Sequence, residues 1–127
     1  LPESFVIFEP KDIVSGDFYW VSTPHHSDGK TVVAAVDCTG HGVPGAFMSM
    51  IGNDLLNEIV NLRGVMNPQN ILQELHISIN KTLKQQDTFN RDGMDLVLCV
   101  VDHQKKIVEF AGAKNALYYV QDAQLQE

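Results

Sequence analysis

The order of patterns along this sequence predicts an α+β fold with mainly antiparallel sheets. Three observations carry the expectation: the first 37 residues read as strands, two helical patterns follow one another directly, and the chain then returns to strands. Alternating β-α-β units would set a strand between the helices, so a parallel, doubly wound sheet is disfavoured. Short polar turns between neighbouring strand patterns point instead to hairpins.

The elements follow in order. Phe5-Val6-Ile7-Phe8 is a short apolar run. Ile13-Val14 and Phe18-Tyr19-Trp20-Val21 flank Ser15-Gly16-Asp17, which reads as a strand kinked at Gly16. The polar stretch from Thr23 to Lys30 reads as a hairpin loop, and Thr31 to Val36 as a buried strand of β-branched and small residues. Val43, Ala46, Phe47, Met50, Ile51, Leu55, Ile59 and Leu62 recur at helical spacing, with Pro44 in the first turn and Gly64 as the stop. Asn67-Pro68 supplies the N-cap and first residue of a second helix, whose apolar face is Ile71, Leu72, Leu75, Ile79 and Leu83. Strands are expected again at Leu96 to Val101, Lys106 to Ala111 and Leu117 to Val120, with Asp122-Ala123 opening a further turn.

Composition narrows the function classes. A chain of 127 residues with 44% hydrophobic and 20% charged side chains has enough apolar material for one soluble domain. The formal net charge of −7 opposes non-specific nucleic-acid binding, and the basic residues form no stripe. No apolar run approaches the roughly 18 residues that span a bilayer, and Leu1-Pro2-Glu3-Ser4 does not resemble a secretory leader. The missing initial Met points to a piece of a longer protein. Cys38 and Cys99 lack C-x-x-C spacing, so a reduced, cytoplasmic setting is expected and zinc is not.

Two aspartates stand out. Asp17 interrupts an apolar stretch, and Asp37 ends a buried strand just before Cys38-Thr39-Gly40-His41-Gly42. A carboxylate in such a place is costly unless it is paired or bound to a cation. Two of them on neighbouring strands can share Mg²⁺ or Mn²⁺, which prefer oxygen ligands, and a glycine-rich turn lets a backbone carbonyl join them. The competing reading of Asp37 is a turn or helix-terminal aspartate. Gly40-His41-Gly42 before a helix also suits a nucleotide phosphate, but the spacing is not G-x-G-x-x-G and no P-loop lysine follows. His25 and His26 read as solvent-facing, His76 has no zinc-helix partner, and His103 falls in a turn. Met48, Met50 and Met66 read as packing residues, and Lys11, Lys30 and Arg63 as surface charges, with Lys11 a candidate for the site mouth.

Four motifs then carry a family resemblance. Ser15-Gly16-Asp17-Phe18-Tyr19 resembles the SGDFY motif of SpoIIE-type serine/threonine phosphatases, a branch of the type 2C (PPM) superfamily. Asp37-Cys38-Thr39-Gly40-His41-Gly42-Val43-Pro44-Gly45-Ala46 resembles their D-x-[ST]-G-H-G-V-P-[AG]-A motif. Asp92-Gly93-Met94-Asp95 and Phe110-Ala111-Gly112-Ala113-Lys114-Asn115 resemble two later segments, in the same order.

The resemblance implies a four-layer α-β-β-α sandwich, of which residues 1–127 would be the N-terminal portion. It implies hydrolysis of phosphoserine or phosphothreonine with two Mn²⁺ or Mg²⁺ ions. Asp17 and Asp37 match metal-binding, catalytic aspartates, and Cys38 matches a backbone-carbonyl ligand. Gly40, His41 and Gly42 are candidate contacts to phosphate or water. The implied partner is a phosphorylated regulatory protein such as an anti-sigma-factor antagonist, with a sensor domain upstream, in bacterial signalling. The family's later TDG and DD aspartates are absent from these residues, and Asp95 does not replace them by motif position. About half of the expected metal site is therefore present. The alternative function is a non-catalytic interaction module derived from the same fold.

Overall fold

The computed structural model describes residues 3–10, 13–22, 29–40, 42–83, 93–113 and 115–127. The expectations for Lys11, His25, His26, His41, Asp92, Lys114 and most of the two long polar connections lie outside these residues. The described elements are β1 (Phe18–Val21), β2 (Lys30–Cys38), α1 (Gly42–Leu56), a π-helical stretch (Asn57–Leu62), α2 (Pro68–Thr82), β3 (Met94–Asp102), β4 (Ile107–Ala113), β5 (Tyr119–Gln121) and β6 (Gln124–Gln126).

Four strands form one antiparallel sheet in the order β1-β2-β3-β4, and β5 and β6 form a separate antiparallel ribbon. Alternation in the sheet separates two faces. Trp20, Val32, Ala34, Val36, Cys38, Leu96, Leu98 and Val100 point to one side and are buried with Met48, Leu56, Ile59, Val60, Ile71, Leu75 and Ile79 of the helical segment. Tyr19, Val21, Ala35 and Asp37 point to the other side and are exposed. The expected α+β class with antiparallel sheets is what the chain adopts. The described residues supply two layers, one of helices and one of sheet.

Several local expectations need correction. Phe5 to Phe8 forms no strand, and Phe5 and Ile7 are more than 80% exposed. Ile13-Val14 is likewise outside any strand, and β1 starts only at Phe18. The apolar face assigned to the first helix is only partly the one it buries: Ile59 is buried and Ile51 and Leu55 pack against the core, but Val43, Phe47, Met50 and Leu62 are exposed, and Gly45, Met48, Gly52 and Leu56 are buried in their place. The reason is steric. A Cβ on Gly52 would lie 2.9 Å from Met94 Cε and 3.0 Å from Phe18 Cζ, so α1 approaches the sheet on its glycines. The helix then passes into the π-helical stretch, which shifts the side-chain register before the left-handed Gly64 stops it.

The second helix matches its expected signals. Asn67 caps it by accepting from the Asn70 N–H at 3.0 Å, Pro68 takes the first turn, and Ile71, Leu75 and Ile79 are buried. Trp20 ties the sheet to the π stretch: its indole N–H donates to Asn57 Oδ1 at 3.3 Å, which also accepts from the Asn61 amide at 2.9 Å. Asp102 closes β3 by accepting from the backbone N–H groups of Lys105 and Gln104, bonds that hold its carboxyl below its ordinary pKa. The turn between β5 and β6 sets both Asp122 and Ala123 at positive φ.

Candidate metal centre

The site grows from the ends of the central strands. β2 runs two residues past the expected Val36, so Asp37 lies within the ladder, directly across from Asp95 of β3. β1 pairs Phe18 with Val36, and Asp17 is the residue just before that pair. Asp17, Asp37 and Asp95 thus stand at the same end of three adjacent strands. Like charges directly opposite on a sheet are destabilising, and a cation bound at this end would relieve them. Asp95, which does not match a ligand by motif position, is placed here by its pairing with Asp37.

Asp17 and Asp37 line one cleft of about 430 Å³, together with Tyr19, Ala35, Val97 and Asn115. Its far wall is the segment Val6 to Pro10, where Phe8 meets Tyr19 edge-on with ring centroids 6.1 Å apart. Asp37 also borders a second cleft, of about 680 Å³, between α2 and the strand ends, with Thr39, His76, Asn80 and Asp95. His76 and Asn80 share a hydrogen bond of 3.0 Å there.

The turn after β2 is tied to the start of β3 by two hydrogen bonds. Thr39 N–H donates to the Gly93 carbonyl at 2.9 Å, and Gly93 N–H donates to Thr39 Oγ1 at 3.1 Å. Within the segment before β1, Ser15 Oγ accepts from the Asp17 N–H at 3.0 Å. Gly40 and Gly42 both have positive φ, of 91° and 63°, which explains glycine at each position. α1 starts at Gly42, with Pro44 in its first turn and no acidic residue there.

The donor set suits a hard divalent cation. Asp17 and Asp37 are exposed and offer oxygen, and Mg²⁺ is commonly held by one or two carboxylates with waters completing the shell. The Cys38 thiol is buried on the opposite face of the sheet. Burial, and then the nearby Asp17 and Asp37 charges, push it up to about 12, so it stays protonated and is no thiolate ligand. Its backbone carbonyl is the group that the family resemblance implies as a ligand. Among the described residues, no three or more His, Cys, Asp or Glu side chains gather into a complete cage.

The family model described as Stage II sporulation protein E (SpoIIE) matches residues 27–127. Among solved structures, the SiaA-PP2C domain of Pseudomonas aeruginosa is similar, at 33% identity and a TM-score of 0.77 over 90% of this chain. The chain spans 44% of that structure's own length. No curated protein sequence matches the chain.

Proposed function

Because the chain belongs to the SpoIIE family, we propose that it is the N-terminal portion of a metal-dependent phosphatase domain that hydrolyses phosphoserine or phosphothreonine on a regulatory protein. The observation that carries this reading is the convergence of Asp17 and Asp37 on one cleft beside Cys38. Asp17, Asp37 and the Cys38 carbonyl would hold Mn²⁺ or Mg²⁺. Such an ion supplies charge to the phosphoryl oxygens and acidifies water.

The chain's own residues do the rest. The two carboxylates set the charge and place of the cation. Gly40 and Gly42 turn the backbone sharply into α1, whose positive N-terminal end favours a phosphoryl anion beside the site. His41, between them, is a candidate phosphate or water contact and lies outside the described residues. The reaction joins a water oxygen to phosphorus, breaks the bond from phosphorus to the seryl oxygen, and returns a proton to that oxygen. The partner is a phosphoprotein of a bacterial signalling system, such as an anti-sigma-factor antagonist, under a sensor domain upstream. No helix among the described residues is long and apolar enough to cross a membrane.

Asp37→Asn in the full-length protein tests the reading. It keeps volume and removes the charge, so Mn²⁺-dependent release of phosphate from a phosphoserine protein should fall at least a hundredfold, roughly the upper end of what disturbing a metal's supporting shell costs. The circular dichroism spectrum should stay that of the unmodified protein. Undiminished turnover by this variant would refute the assignment. Phosphoprotein binding without turnover in the unmodified protein would favour the interaction module.

A further inference from the structure

Gly16 sits where three segments meet without side chains. A Cβ built on it would stand 2.9 Å from the Gly40 carbonyl oxygen, 3.1 Å from the Cys38 carbonyl oxygen and 3.2 Å from Gly45 Cα. These neighbours are backbone atoms of the turn after β2 and of the first turn of α1, so none can swing away as a side chain end would. Gly16 is buried, and its φ lies outside the left-handed region. Glycine is therefore not required there by backbone conformation; the space is what excludes a side chain.

The contact falls between the groups of the candidate site. Gly16 immediately precedes Asp17, and the oxygens that press on it belong to Cys38, which follows Asp37, and to Gly40. We propose that Gly16 is a positioning residue: its bare Cα lets the Cys38 carbonyl and the Asp17 carboxylate approach one divalent cation together. This rests on the metal-site reading above and names what sets the spacing of that site. A methyl group at position 16 forces the turn after β2 away from the β1 side and separates the donors by a few tenths of an ångström.

The test is Gly16→Ala in the full-length protein, with Gly52→Ala as the comparison. Gly52 is also buried at a close contact, but its added Cβ would meet only the far ends of Met94 and Phe18. Mn²⁺ affinity is read by electron paramagnetic resonance of the free ion, and folding by thermal melting in EDTA. Gly16→Ala should weaken Mn²⁺ binding about tenfold or more, the size expected when a metal's supporting contacts are disturbed. Its turnover should climb back toward that of the unmodified protein as Mn²⁺ is raised. Gly52→Ala should keep the unmodified Mn²⁺ affinity. Equal affinity for the Gly16→Ala and unmodified proteins overturns the positioning role and leaves the metal-site reading standing. A Gly16→Ala protein that is already unfolded in EDTA assigns the contact to the fold and overturns the role as well. An unmodified protein that binds no Mn²⁺ removes both.

Discussion

The two helices have the same length, 15 residues, and lie against the same sheet, yet they meet it differently. α2 buries its large residues, Ile71, Leu75 and Ile79, and turns polar ones outward. α1 buries two large residues, Met48 and Leu56, but also Gly45 and Gly52, and it leaves Val43, Phe47 and Met50 more than 60% exposed. A helix placed to gain hydrophobic stability buries its large side chains, as α2 does. α1 does so with Met48 and Leu56, and its glycines also bring its backbone close to the sheet and to the turn that follows Asp37 and Cys38. α2 anchors the domain by side chains alone, whereas α1 combines anchoring with a close backbone approach beside the candidate site.

That division can be broken by substitution. Leu75→Ala should cost the most, about 2–5 kcal/mol, because the leucine is fully buried and leaves a cavity. Chemical denaturation reads it as a lower midpoint at unchanged slope. Asn67→Ala removes the cap of α2 and should cost about 1 kcal/mol by the same measurement. Gly52→Ala in α1 sets a gain in helix propensity of about 0.5–1 kcal/mol against the displacement of Met94 and Phe18, so the net change should stay within about 1 kcal/mol. Phe47→Ser should have the smallest effect, within about 0.5 kcal/mol, since the side chain is exposed. A loss as large as that of Leu75→Ala at Phe47 would erase the contrast between the helices.

The same contrast explains what was legible in the sequence. α2 carried its own signals: a capping Asn67, Pro68 after it, and large apolar residues at helical spacing. Hydropathy finds Ile51, Leu55 and Ile59 but not Gly45 and Gly52, because proximity made by glycine has no hydrophobic signature. The π-helical stretch compounded this, since a shift of register leaves no compositional mark. Strand ends were cut short at Val36 and Leu96 because the residues beyond, Asp37 and Asp95, are polar; the ladder continues through them for their position, not their hydropathy. Phe5 to Phe8 was read as a strand on apolarity alone, but a strand needs a pairing partner, and the described residues give it none. At the site, the motifs pointed to Asp17, Asp37 and Cys38. The cleft wall from Val6 to Pro10 and the contact at Gly16 are products of tertiary packing and could not be read in advance.

The pairing of Asp37 with Asp95 also has a consequence for how the chain folds. The two residues are separated by both helices, about sixty residues of chain, so their ladder closes a long loop whose entropy must be met before the pairing returns anything. The hairpin of β3 and β4 and the turns of α2 depend on near neighbours and can form early. The β2–β3 seam, which brings the carboxylate end of the sheet together, belongs to the slow, non-local part of the reaction. A nascent or partly unfolded molecule can therefore hold its helices and still have no place for a cation. Cation binding at the proposed site would report that the last distant strands have met.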